Sequence, residues 1–349
     1  MHIAMMEEEV VRKKGWIDHD HFLDLVGATN LIPGPNSTEM TMHIGHERAG
    51  WKGLIVAGCC FILPAVIITA FFAWLYRQYG QLPQVQPYIY GIKPAIIAVI
   101  VALMINLGRK ALKSLGLAII GLLAVAAVLM GMNEIYVLFG GGFIGIIIHV
   151  LKKSSKAVHG FSPFVLLQVS YSTVVNLSKF NIFLTFLKIG SILYGSGYVL
   201  FAFLDAELVS KGLLTKQQLT DAIAVGQFTP GPVFSSATFI GWQIAGAPGA
   251  VAATIGIFLP SFLFVAVLNP LIPRLRRSKI MSAFLDTVNV VSIAIILSVI
   301  IEIGRSTLLD WKTIVIAIIS FIITFYFKKL NTAFIILGGA LLGYTLALI

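Results

Sequence analysis

The chain has 349 residues, 58% of them hydrophobic and only 11% charged, with a formal net charge of +10 and a mean hydropathy of +0.93. So apolar a composition excludes a soluble domain and describes an all-α polytopic membrane protein. In such a chain the positive charge marks cytoplasmic loops, not a nucleic-acid surface. Cys59 and Cys60 are adjacent inside an apolar segment, so they read as packing residues, with no disulfide framework and no metal spacing. No signal peptide is visible, because MHIAMMEEE turns acidic before an apolar core develops.

A membrane span needs roughly 20 apolar residues. In chain order, spans are predicted at 54–76, 88–107, 115–132 and 135–150, then at 180–200, 247–268, 283–303, 311–327 and 330–348, for nine crossings. Segments 18–31 and 36–47, and their counterparts in the second half, are each about half a membrane long, and they read as re-entrant hairpins. Segment 161–177, which carries Gln168, Ser170 and Asn176, reads as an interfacial helix in the linker. The domain reading is a first repeat at 1–156, a linker at 157–178 and a second repeat at 179–349.

The duplication is explicit in the sequence. NLIPGPNSTEMTMHIGHERAGWKG begins at Asn30, and QFTPGPVFSSATFIGWQIAGAPG begins at Gln227. Pro33, Gly34 and Pro35 fall opposite Pro230, Gly231 and Pro232; Gly45, Ala49, Gly50, Gly53 and Pro64 fall opposite Gly241, Ala245, Gly246, Gly249 and Pro260. Proline lacks an N–H, disfavours helix in the residue before it and suits a first turn. Each Pro-Gly-Pro is therefore expected to end one helix and open another, with Pro35 as a first helical residue and the N–H groups of Asn36, Ser37 and Thr38 left without intrahelical partners. In a bilayer such a break is tolerated only inside protein or along a cavity, so it points to a site.

Placing the first hairpin on the cytoplasmic side puts most of the 25 Lys and Arg residues there, among them Arg109, Lys110, Lys113, Lys152, Lys153, Lys156, Arg274, Arg276, Arg277, Lys328 and Lys329, as the positive-inside rule requires. The two repeats then run in opposite senses. Aligning MMEEEVV (Met5–Val11) with FLDAELV (Phe203–Val209) puts Met1 opposite Val199, so segment 180–200 has no partner in the first half. The first repeat is expected to lack its first helix, and the chain to begin upstream or to be truncated.

Inverted broken helices meeting near the midplane are the layout of secondary transporters, with half-helix N-termini facing anions. Two such ends supply about +1 of charge, too little for a dianion, so a cation must help. Lys188, midway along 180–200, is the expected one, since a lysine at the bilayer centre is costly. Lys93 lies nearer a helix end, where it can snorkel instead. Asn30, Asn36, Ser37, Thr38, Gln227, Thr229, Ser235 and Ser236 are neutral donors around the breaks that suit an oxyanion, although Ser and Thr also simply cap helices. Together with the six Pro-Gly-Pro residues and Lys188 they are the expected substrate-binding set. Glu9, Glu207, Glu39 and Lys93 are the coupling or gating candidates. Glu9 and Glu207 align at the membrane edge, where carboxylates relay protons, pair with the transport lysine or are merely solvated; Glu39, one turn into the half-helix, gates or faces away. Glu39, His43, His46 and Glu47 share helical spacing, as metal ligands would, but the second repeat has no equivalent. HExxH, a Cys cluster and a Walker loop are all missing from the sequence. No metal, no cofactor and no enzyme activity are expected, and the runs Gly140–Gly142 and Gly338–Gly339 read as close helix packing.

NLIPGPNSTEM followed by IGHERAGWKG and FILPA, and FLKIGSILYGSGYVL followed by QFTPGP, GWQIAG and FLPSF, resemble the signatures of the chromate ion transporter family across nearly the whole chain. That family has two homologous halves, each with a Pro-Gly-Pro hairpin, and its first half opens with a helix ending in Phe-Gly-Gly-Pro, of which only His2–Glu9 of the following segment remains here. The resemblance implies chromate efflux across the cell membrane and chromate resistance, with sulfate as a second tetrahedral dianion. The lipid bilayer is the expected surroundings, and a proton and a second copy of the chain are the candidates for coupling ion and homodimer partner. Composition and spacing reach only an anion-binding inverted-repeat transporter. The alternatives are a passive oxyanion channel or a sulfate-type carrier.

Overall fold

The structure, a computed structural model, describes residues 2–80, 82–153, 179–194, 197, 199–268, 278–327 and 330–348. The predicted interfacial helix at 161–177 lies outside these residues, as do Lys156, Arg274, Arg276, Arg277, Lys328 and Lys329. Among the described residues the chain is helical without strands. The helices are α1 (His2–Glu7), α2 (His19–Thr29), α3 (Asn36–Tyr79), α4 (Gln86–Ala111), α5 (Leu115–Leu129), α6 (Glu134–Lys153), α7 (Lys179–Ile192), α8 (Val199–Leu204), α9 (Lys216–Phe228), α10 (Ser236–Leu268), α11 (Lys279–Thr307), α12 (Trp311–Tyr326) and α13 (Thr332–Ala347). α3, α4, α6, α10 and α11 are long and apolar enough to cross a membrane; α5, α12 and α13 are apolar but shorter. Each predicted span meets a helix at its place except 180–200.

That segment is broken: α7 stops at Ile192, Leu193, Tyr194 and Gly197 are not helical, and α8 starts at Val199. Gly197 lies in this interruption as a turn residue, and glycine weakens a helix by about 1 kcal/mol relative to alanine. The Leu193 carbonyl at the α7 end instead accepts the Gly34 N–H at 2.9 Å. After α8 the chain forms a π-helical turn, Asp205–Val209, and α1 is followed by one at Glu8–Lys13. The register that pairs Glu9 with Glu207 thus recurs in local structure.

α3 and α10 share one irregularity. In α3, Ala49 (φ −147°, ψ 25°) and Gly50 (φ 57°, ψ −144°) leave helical geometry; in α10, Ala245 (φ −138°, ψ 22°) and Gly246 (φ 66°, ψ −155°) do the same. The chain turns back on itself there, because a Cβ on Gly45 would strike the Gly53 carbonyl and one on Gly241 would strike the Gly249 carbonyl. Residues eight apart in a straight helix lie about 12 Å apart. Each half-helix therefore returns against the span that follows it, as a re-entrant hairpin does.

The halves pack reciprocally. α3 meets α10 and α4 meets α11, while α4 packs on α12 and α13 and α11 packs on α5 and α6. This exchange is what a two-fold relation between the repeats produces. Lipid tails offer helices no hydrophobic reason to associate, so small residues bring backbones close: Gly91 against Gly339 and Gly343, Gly190 against the Ile257 carbonyl, and Gly141 and Gly142 against Val291 and Phe284. Gly140 and Gly338 have open space around them. Large apolar side chains such as Leu63, Ile67 and Phe71 of α3 and Leu122 of α5 are exposed, as side chains in contact with lipid would be.

Candidate functional site

Both Pro-Gly-Pro breaks open onto one cavity of about 720 Å³. Asn30, Pro35, Asn36 and Ser37 come to it from the first hairpin, and Gln227, Thr229, Pro230, Gly231 and Pro232 from the second. The helix starts differ from the sequence expectation by one residue. Pro35 and Pro232 are extended caps (ψ 100° and 134°), and helix begins at Asn36 and Val233. The Thr38 N–H is also not left over, since it donates to the Pro35 carbonyl at 2.8 Å; Ser235 N–H does likewise to Pro232 at 2.9 Å. The N–H groups of Asn36 and Ser37, and of Val233 and Phe234, are the ones a helix start leaves over. The Asn36 amide donates to Asn30 Oδ1 at 2.8 Å, which ties the two arms of the first hairpin together at the cavity wall.

The remaining predicted residues stand behind this wall. Pro33, Gly34, Thr38, Ser235 and Ser236 are buried and off the cavity. The Ser236 hydroxyl donates to the Val233 carbonyl at 2.9 Å, while those of Thr38 and Ser235 have no hydrogen-bond partner. The breaks are seated on the opposite repeat. A Cβ on Gly34 would strike the Glu39 carboxyl and the Ser261 hydroxyl, and one on Gly231 would strike Ala65. Thr69 of α3 donates to the Thr229 hydroxyl at 3.4 Å. Glu39 has no exposed surface.

The structure does not bring Lys188 to the breaks. Its side chain is 53% exposed and pairs with Glu207 at 2.5 Å, and Lys211 holds the other carboxylate oxygen at 2.6 Å. Lys93 is engaged as well: it lies 3.4 Å from Asp221, which also accepts the Tyr76 hydroxyl at 2.6 Å. Glu9 is exposed and pairs with Lys13 of its own π-turn at 2.5 Å, and that hydrogen bond holds its carboxyl below the usual range. No group of three metal-ligating side chains occurs among the described residues.

Among the described residues the cations on the cavity are Lys110 and Lys113, from the end of α4 and the residues after it. Lys113 pairs with Asp286 at 2.7 Å, and Asp286 is the one acid on the lining among the described residues. In the sequence both lysines read as loop residues that mark orientation. Asn289 and Asn331 also line the cavity and were missed; Asn289 had a legible signal, a lone amide within the apolar run of α11. At the other end of the hairpins the repeats are latched by Arg77 to the Trp242 carbonyl at 3.4 Å and Gln243 to the Ala73 carbonyl at 3.1 Å.

Comparison with known proteins adds a family to this geometry. The chain is 27% identical to a probable chromate transport protein of Synechococcus elongatus, over 98% of this chain and 89% of the relative. It is 28% identical to a chromate transport protein of Cupriavidus metallidurans, over 97% and 86%, and 27% identical to one of Pseudomonas aeruginosa, over 98% and 86%. No solved structure matches. The chromate transporter family profile matches residues 1–146 and 180–344, one segment for each half, and the chain is a multi-pass membrane protein that belongs to the chromate transporter family.

Proposed function

We propose that this protein is a secondary carrier that exports chromate from the cytoplasm, that it thereby confers chromate resistance, and that it also handles sulfate. The observation that carries the reading is the convergence of both helix breaks on one cavity whose single acid among the described residues, Asp286, is already paired with Lys113. The two half-helix ends contribute about +1, and Lys110, without an ion-pair partner among the described residues, stands on the same cavity. Asn30, Asn36, Gln227 and Thr229 add neutral polar groups. This inventory suits a tetrahedral dianion better than a cation or an apolar solute.

The end of the cavity that carries Lys110 and Lys113 is the cytoplasmic one by the positive-inside rule, so this is the inward-open state. Lys188 then serves the outer side, as the partner of Glu207, and not the inward-facing anion site. The latches at Trp242 and Ala73, with the Lys93–Asp221–Tyr76 cluster, close the far side. A site open to one side and closed to the other favours a carrier over a pore.

The test is counterflow. Vesicles holding the purified protein and loaded with unlabelled chromate should transiently accumulate labelled chromate above its equilibrium level, with sulfate competing. Simple equilibration without overshoot would replace the carrier by a channel.

A further inference from the structure

Glu39 is the buried acid that the anion site does not use. It sits one turn into the first half-helix, with no exposed surface, and its carboxyl folds back between Gly34 and the Ser261 hydroxyl of α10. Neither carboxylate oxygen has a hydrogen-bond partner of good geometry, and the Ser261 hydroxyl has none either. The titratable groups around it are His43, one turn further along α3 and also without exposed surface, and Tyr194, in the segment after α7. From α10 the neighbour is the uncharged Ser261. Lysine and arginine do not pair with it among the described residues.

A carboxylate with no exposed surface and no lysine or arginine paired with it among the described residues is penalised heavily in its charged form by burial. A carboxyl there is stable when neutral. Its position supplies the coupling: Asn36 and Ser37, which line the anion cavity and whose N–H groups a helix start leaves over, belong to the same helical turn. An oxyanion at those N–H groups and a charged Glu39 repel each other, while an oxyanion and a protonated Glu39 coexist. The second repeat has Ser236 at the matching distance from Pro232, so the carrier has one such acid and not two.

We infer that Glu39 is a proton-binding site linked to the anion site, and that one proton crosses the membrane in the same direction as each oxyanion. The reading rests on the anion-carrier function proposed above. The step is a simple protonation: the carboxylate takes a proton from water on the side where the anion binds, an O–H bond forms, and the proton returns to water on the side where the anion leaves. Binding linkage is reciprocal, so the anion affinity must fall as rising pH strips the proton from Glu39, by up to about tenfold per pH unit for one linked proton.

The experiment uses the full chain in liposomes with a pH-sensitive dye inside and the membrane potential clamped by potassium and valinomycin, at alkaline pH, where chromate stays a dianion. The expected result is lumen acidification of one proton per chromate that enters, together with chromate affinity that falls with pH. In Glu39→Gln, the chromate that still crosses should bring no proton and show a flat pH dependence, and Glu39→Asp should restore both. The proton count on the parent protein decides the matter even if Glu39→Gln folds poorly. Chromate entry without acidification in the parent, or with undiminished acidification in Glu39→Gln, overturns the coupling alone. A parent that shows no chromate counterflow overturns the carrier reading and the coupling with it.

Discussion

Gly231 of the second break lies against Ala65, so closely that a Cβ on the glycine would sit 2.6 Å from the alanine Cβ. Ala65 follows Pro64, and the first break repeats the arrangement on Ser261, which follows Pro260. Each break is thus held by the helix of the other half. Both glycines have positive φ, 129° and 143°, which a side chain disfavours even without the crowding. Gly231→Ala and Gly34→Ala are each expected to cost roughly 1 to 3 kcal/mol in backbone strain and to lower chromate transport more than tenfold with protein still in the membrane. Chromate flux at matched protein level checks this, and parent-like flux in either variant would show that the break geometry is dispensable.

The two hairpin turns make a paired prediction about stability. Gly50 and Gly246 combine φ near +60° with ψ near −150°, a region open essentially only to glycine. Gly50→Ala and Gly246→Ala should each destabilise by about 1 to 3 kcal/mol, and by similar amounts, because the local geometry is the same. Gly15 also has positive φ, 57°, but it is an exposed residue outside both hairpins, where the backbone can relax without moving a packed helix, so Gly15→Ala should cost less. Thermal unfolding of the detergent-purified variants measures all three; a large difference between Gly50 and Gly246 would argue against equivalent turns.

Much of this architecture was legible in the sequence because it depends on residue types with hard backbone consequences. The Pro-Gly-Pro pairs and the Ala-Gly turns appear as glycine and proline at fixed spacing, and the structure places breaks and reversals at those positions. Uniformly apolar runs gave the spans for the same reason. The interruption after Ile192 is not legible because the apolar run around Gly197 reads as one continuous span. Side-chain engagement was beyond reach. Whether Lys188 faces a cavity or reaches Glu207 depends on where the π-turn Asp205–Val209 sits, and Lys110 becomes a cavity residue only because the end of α4 lies near the second break. Reciprocal contacts such as Gly34 with Ser261 join residues more than 200 apart, and no local pattern encodes them.

The Lys93–Asp221 pair can be tested by a double-mutant cycle. Asp221 is 3% exposed, and breaking a buried pair by removing one partner typically costs about 3 to 5 kcal/mol. Some of that is offset here by the Tyr76 hydroxyl. Lys93→Met alone should therefore lower the unfolding temperature by more than Lys93→Met combined with Asp221→Asn. If the two single changes simply add, the 3.4 Å approach contributes nothing and the far side is closed by other contacts.

The last prediction concerns the charge on the cavity, where two neighbouring changes should act in opposite directions. Lys110 is exposed on the cavity wall, and a unit charge about 4 Å from another in water-like surroundings contributes about 1 kcal/mol, which is about fivefold in affinity. Lys110→Gln should therefore weaken chromate binding by roughly two- to fivefold at low ionic strength. Asp286→Asn removes the acid that neutralises Lys113, so it frees a positive charge on the same wall and should strengthen binding by a similar factor. Both effects should shrink at about 1 M salt, where the screening length is near 3 Å. Chromate affinity measured for the two variants and the parent at low and high salt decides the matter. Shifts in the same direction, or shifts that salt leaves untouched, would mean that the anion does not sense the charge of this wall and binds elsewhere.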